Sequence, residues 1–319
     1  MADRDQGAAI EPEVVTLTSW AEVIDHLGRF PAPRVGFGQD GDLEETAWIF
    51  RGVEDSLLEL EPTVERRAKS TRMTWAALEA KVAEEFKYRA PVYVDRPLVA
   101  EDDLTWLAFM RHHAVPTRLL DFTLSPFVAL YFAARDWHRE KRPKCARIWA
   151  MDSQAIAGRS RAVVTRARQA EWERRGERHG GRVSSRSDDA ASDRDVLKSE
   201  ALAMRRRTEE VLAATGTFRA ELNRQGCVCV ALPPSFNPRL ASQQGLFLLN
   251  GAEDLPFATS LARMMTGRAD WCRAFDIQVG LLSEIERRLF QMNIHEQSLF
   301  PDMHGLAGLI NQRIRLHWS

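Results

Sequence analysis

Val115-Pro116-Thr117-Arg118-Leu119-Leu120-Asp121-Phe122-Thr123-Leu124-Ser125-Pro126 is the stretch on which the fold turns. Pro116 stops the helical pattern before it, because the residue preceding a proline is pushed out of helical backbone. Thr117 to Thr123 then reads as a strand. Ser125-Pro126 offers an N-cap with proline at the first helical position. The helix it opens, Phe127 to Ala134, is apolar almost all round, which predicts burial.

Outward from this unit the pattern is α+β. On the N-terminal side, Thr46 to Gly52 is rich in aromatic and branched residues and closes on glycine, a strand signal. Trp75, Leu78, Val82 and Phe86 recur at helical spacing. Glu101 to His112 reads as a second helix. On the C-terminal side, strands are expected at Arg147–Met151, Cys227–Leu232, Gly245–Leu249 and Phe275–Val279. Residues 1–44 read as a loose lead-in with one short helix around Trp20 to Leu27, and 313–319 as a tail. Residues 153–222 read as an insertion. From Arg159 to Arg207 it holds 13 Arg and one Lys against eight acidic residues, and Leu197, Ala201, Met204, Thr208, Val211 and Leu212 line one helix face.

The whole chain has 319 residues, 45% hydrophobic and 28% charged, with a formal net charge of -1. That balance is globular and argues against a protein that coats nucleic acid along its whole length. Four cysteines, Cys145, Cys227, Cys229 and Cys272, are too few and too dispersed for a disulfide scaffold. No signal peptide is legible at the start, and no window approaches the ~18 apolar residues of a membrane span. A soluble cytoplasmic protein is the expectation.

Three polar clusters fall at strand ends or turns, where a scaffold presents side chains. Arg51 stands among Trp48, Ile49 and Phe50, an expensive place for a cation without an anion or an internal acid such as Asp121. Gly52 beside it admits close backbone approach. In the second cluster, Arg118 and Asp121 are charges in an apolar setting. Thr123 and Ser125 stand at a strand-to-helix turn, where free N–H groups suit a phosphate. The alternative there is a structural network, with Ser125 capping the helix and Asp121 paired to Arg118 or Arg51. The third cluster, Asn237 to Phe247, sets Gln243 and Gln244 ahead of a strand, where an amide orients a ribose or caps a loop.

Several other features carry less. His112 and His113 are adjacent, whereas a helical metal pair wants i,i+4 spacing. Cys227 and Cys229 lack zinc-type partners and read as core. Neither dinucleotide glycine fingerprint, nor Walker loop, nor nucleophile elbow occurs. No metal site is expected. The Arg-rich insertion reads as a solvated face, with RNA or DNA contact as the alternative.

Taken together, the clusters resemble the FRG domain, named for its Phe-Arg-Gly signature. The resemblance runs through Trp48 to Gly52, Leu60 to Arg66, His112 to Thr123, Val128 to Ala133, Asn237-Pro238-Arg239, Gln243-Gln244-Gly245 and Phe300-Pro301-Asp302. It covers roughly residues 45–312 without the insertion. Two departures stand out: Val53 follows Arg51-Gly52 where a glutamine is common, and Arg111-His112-His113-Ala114 replaces Gln-His-x-Gly.

FRG domains occur in bacterial and phage proteins in toxin and defence contexts, and their arrangement resembles the ADP-ribosyltransferase fold, a split β-sandwich with an NAD cleft. The resemblance therefore implies NAD as co-substrate and an unknown protein or nucleic-acid acceptor. Arg51 would hold the NAD phosphate or ribose and the Gly52 backbone the nicotinamide amide, with Arg118, Thr123, Ser125 and Tyr131 supporting the cleft. Gln243 or Gln244 would occupy the place of the usual catalytic glutamate. Glutamine carries no charge to stabilise an oxocarbenium-like transition state. Either Asp121 supplies that carboxylate or the domain is a non-catalytic sensor that binds a nucleotide or a phage component.

Overall fold

The computed structural model describes residues 10–31, 48–94, 102–136, 138, 144–179, 193–232 and 238–317. In chain order the elements are β1 (Glu13–Leu17), α1 (Trp20–Gly28), β2 (Trp48–Val53), α2 (Thr63–Ala68), α3 (Trp75–Arg89), α4 (Asp103–His112), β3 (Leu119–Thr123) and α5 (Pro126–Ala134). They continue with β4 (Cys145–Asp152), α6 (Ser153–His179), α7 (Asp193–Leu212), α8 (Gly216–Gln225), β5 (Val228–Ala231), α9 (Pro238–Ser242) and β6 (Gly245–Asn250). The last five are α10 (Phe257–Met265), β7 (Cys272–Gln278), α11 (Leu282–Gln291), α12 (Glu296–Leu299) and α13 (Met303–His317).

The strands form one mixed seven-stranded sheet in the order β1-β7-β4-β2-β3-β6-β5, with helices on both faces. Among the described strands only β1 and β7 run parallel. The sheet is pinched in the middle. β2 pairs with β4 over six residues, from Trp48↔Asp152 to Val53↔Arg147, but with β3 at one position, Phe50↔Thr123. A four-stranded half and a three-stranded half thus meet at a narrow joint. In the three-stranded half the four consecutive residues Leu246 to Leu249 are all buried, as in a strand covered on both faces.

The strand-to-helix unit forms as its sequence dictates. Ser125 accepts the Val128 N–H at 3.3 Å, Pro126 opens α5, and Val128 to Tyr131 are buried against Phe50 and Ile148. Three boundaries differ from the sequence reading. Glu13–Leu17 of the lead-in is an edge strand, because its backbone adds in parallel to β7. The insertion is not appended: Val163, Val164 and Ala167 of α6, Val211 of α7 and Leu222 of α8 are buried in the core beside β5 and β6. The tail begins inside α13, which runs to His317. Residues 1–9 and 32–44 of the lead-in, Thr46, Ala47, Glu101, Gly180, Gly181, Asn237 and the side chains of Leu197 and Ala201 lie outside the described residues. Among the described residues no helix is long and apolar enough to cross a membrane.

Candidate functional site

The pinch makes the site. Continuing the β2–β3 register beyond Phe50↔Thr123 would set Gly52 against Asp121, but there the strands part. Arg51 fills the gap: its Nη1 donates to the Asp121 main-chain oxygen at 2.7 Å and stands 3.7 Å from the Asp121 carboxylate. A side chain thus satisfies a carbonyl that the β-ladder leaves over. The seam opens into a cleft of about 550 Å³ whose wall includes Arg51, Arg111, Asp121, Phe132, Arg239 and Gln243. The Arg51 side chain keeps 20% of its exposure and Asp121 keeps 43%, so the guanidinium is neither sealed nor clasped by both carboxylate oxygens.

Asp121 belongs to a different arginine. Arg111, on the last turn of α4, grips both carboxylate oxygens and donates through Nη1 to Thr63 Oγ1 at 2.8 Å. Burial opposes ionisation of Asp121, but the charges of Arg111 and then Arg51 outweigh it and hold the carboxyl below the usual range. The same carboxylate holds Arg111 above its ordinary value. Burial dominates at Arg51 and pulls it down to about 10, with Asp121 opposing and Arg111 and Arg66 adding repulsion. Four arginines, 51, 111, 135 and 239, face three carboxylates, Glu54, Asp121 and Asp136, across the cleft wall. This excess of cations suits an anionic ligand.

The structure brings together only part of the sequence-derived set. Arg51, Gly52, Asp121, Thr123 and Gln243 line the cleft. Thr123 is buried and works as a joint, its hydroxyl donating to the Gln243 carbonyl at 2.7 Å and accepting from Ser125 N at 3.1 Å. Gln243 spends its amide N–H on the Leu299 carbonyl at 3.0 Å. Gln244 sits outside the cleft wall at a φ of 47°, and its carbonyl receives the Leu124 N–H at 3.0 Å. Ser125 is the α5 cap, and the Tyr131 hydroxyl is turned to Glu296.

Two residues have a use the sequence reading did not name. Arg118 lies outside the cleft, 7% exposed, with Glu79 bonded to both its side chain and its main-chain N–H and the Trp75 ring 4.9 Å from its Cζ. Pairing with Asp121, one alternative from sequence, does not occur. Gly52 is where α5 crosses β2: a Cβ there would stand 2.7 Å from Ala133 N and 2.8 Å from Ala129 C. Conversely, Arg111, Arg135 and Arg239 were missed. Arg111 sits in a motif departure, and nothing local in the sequence marks an arginine on α4 as the partner of a strand aspartate. Of the Arg-rich stretch, Arg166, Arg168, Arg174 and Arg175 are engaged by Gln225, Glu210, Thr217 and Glu171.

Residues 46–142 match the family model of the FRG domain, so the chain contains an FRG domain. The matched segment spans β2 to α5, which includes both strands of the pinch and Arg51, Arg111 and Asp121. No curated protein and no solved structure matches the chain.

Proposed function

We propose that the cleft at the β2–β3 joint binds NAD and that this FRG-domain protein is an ADP-ribosyltransferase-like effector of the toxin or anti-phage defence kind. One observation carries the reading: Arg51 is fixed by the Asp121 carbonyl while its guanidinium stays open to the cleft. A planar guanidinium with donors to spare matches a phosphate oxygen pair. The cleft volume falls within the range of about 300–1,000 Å³ usual for small-ligand sites. The chemistry that NAD supplies is scission of its nicotinamide–ribose bond, with positive charge developing at the ribose. Asp121, held ionised by Arg111, is the cleft carboxylate that can oppose that charge. Gln243 has no charge to offer.

One observation favours a second reading, nucleotide sensing without turnover. Asp121 is shared between Arg111 and Arg51, which blunts its field at any ligand. Calorimetry with NAD, together with release of labelled nicotinamide, separates the two. NAD should bind, and Arg51→Ala should weaken binding at least tenfold, since a charge-assisted bond contributes about 1.5–3 kcal/mol. Nicotinamide release that is lost in Asp121→Asn supports the enzyme; binding without release supports the sensor. Absence of binding by the folded parent protein would sink both.

A further inference from the structure

A second cavity, of about 690 Å³, lies beside the cleft and shares one wall residue with it, Leu58. Residues 56–61 enclose it together with α2, β4 and the first residues of α3 and α10. Leu60, Trp75 and Trp149 make a buried apolar wall, whereas Leu57 and Leu58 are 86% and 43% exposed, which places the mouth at that loop. Trp75 and Trp149 are 8% and 6% exposed, and neither indole N–H has an acceptor among the described residues. A buried donor without a partner is rare and costs free energy, and an acceptor carried by an occupant removes that cost.

The charges on the wall choose the kind of occupant. Three carboxylates, Glu59, Glu61 and Glu65, stand against Lys69 and Arg147. Both bases are engaged: Lys69 pairs with Glu61 at 2.6 Å, and Arg147 donates through Nε and Nη2 to the two oxygens of Asp276 at 2.6 and 2.9 Å. Glu65 is engaged as well, accepting the Phe257 N–H and the Asn250 side-chain amide. Glu59 is exposed, makes no hydrogen bond or ion pair among the described residues, and acts only through space on Lys69. Each tryptophan ring already carries a cation, with the Arg118 Cζ 4.9 Å from the Trp75 centre and the Arg147 Cζ 5.2 Å from that of Trp149. Further positive charge is therefore directed to Glu59 rather than to the rings, and an anion is disfavoured by the surplus of carboxylates. We propose that this cavity is a second ligand site, for a primary amine on an aromatic or hydrocarbon body that also bears an oxygen acceptor. The ammonium pairs with Glu59, the body lies against Leu60 and the tryptophan rings, and the oxygen accepts an indole N–H. The volume falls within the range of about 300–1,000 Å³ usual for small-ligand sites. The inference is independent of the NAD reading, since Arg51, Asp121 and Gln243 lie in the other wall.

Ligand-observed nuclear magnetic resonance on the full chain, titrated with tyramine, tests this. Tyramine should bind with about the millimolar affinity that a ligand of its size allows. Phenethylamine, which lacks the oxygen, should bind more weakly, and para-hydroxyphenylacetate, which carries a carboxylate in place of the amine, should not bind. Glu59→Gln, an exchange at an exposed loop position, should weaken tyramine about threefold or more, the size expected of a partly screened ion pair. Excess NAD should leave tyramine bound. Absence of tyramine binding, equal binding of either analogue, or an unchanged affinity in Glu59→Gln overturns the second site. Displacement of tyramine by NAD also overturns it, by placing the amine in the β2–β3 cleft. None of these results bears on whether NAD itself binds, which the calorimetry above decides.

Discussion

Gly52→Ala separates two uses of the signature glycine: approach of a ligand and approach of a helix. In the structure α5 crosses β2 at this residue. An added methyl would lie 2.7 Å from Ala133 N and 2.8 Å from Ala129 C, and closer still to the Ala129 carbonyl oxygen, whereas real Cβ atoms almost never come within 3.0 Å of a neighbour. All three are main-chain atoms of one helix, so no flexible side chain can swing aside. Strand and helix must therefore separate, and α5 carries Val128, Ala129, Leu130 and Ala133 in the same core as Phe50. A gap of about 0.5–1 Å forfeits roughly a quarter to a half of each contact's dispersion energy. Overpacking of a well-filled core costs about 1–3 kcal/mol and sometimes more. With backbone on both sides of this clash, the loss should be about 3 kcal/mol or more. Urea unfolding followed by far-ultraviolet circular dichroism reads it as a lowered midpoint. A Gly52→Ala protein within about 0.5 kcal/mol of the parent that no longer binds NAD would refute the packing account and return the glycine to the ligand.

Two further predictions concern buried charges away from the cleft. Arg118→Ala takes the guanidinium from buried Glu79, leaving it only the main-chain N–H of residue 118, and should cost about 3–5 kcal/mol, measured by the same unfolding; the joint replacement Arg118→Met with Glu79→Gln, which keeps an acceptor for that N–H, should recover most of it, and failure to recover would show that the pair does more than neutralise itself. Glu65, 6% exposed, caps α10 by accepting the Phe257 N–H at 2.9 Å, and burial pushes its carboxyl from the ordinary 4.5 up to about 7. The folded state therefore holds this proton more tightly than the unfolded chain, so the contribution is complete below pH 4.5 and disappears as pH rises through 7. The linkage amounts to about 3 kcal/mol at most. Melting from pH 5 to pH 8 should show this component in the parent and lose it in Glu65→Gln; identical profiles would remove Glu65 as its source.

Local chemistry made the elements legible. The Ser125-Pro126 cap, the all-apolar Phe127–Ala134 run and the alternation of Phe275 and Ile277 each carry their signal within a few residues, and each forms as read. The edge strand Glu13–Leu17 was not read, although Val14, Val15 and Thr16 are β-branched: five residues with one fully buried side chain, Leu17, give a short signal, and pairing with β7 completes the strand. The candidate site was half legible. Arg51 stood out as a cation among aromatic residues, and Asp121, Thr123 and Gln243 as polar groups at strand ends. Of their partners, Asp121 was named for Arg51 and does stand beside it, whereas Arg111 as the main holder of Asp121 and the Thr123–Gln243 bond were not read, because those separations are closed only by the pinched sheet.

By itself, then, the chain's order of residues determined most of the strands and helices, the edge strand and the end of α13 excepted, and which polar groups stand in apolar company, since those depend on propensity, capping and periodicity over a single turn or strand. Only the tertiary structure decided who neutralises whom. It gave Asp121 to Arg111, Arg118 to Glu79 and Gly52 to the backbone of α5, and it left Arg51, Arg135 and Arg239 facing a common recess. Charge pairing and close packing are set by distances through space between distant parts of the chain, and those distances exist only once β2 and β3 have met at one residue and parted at the next.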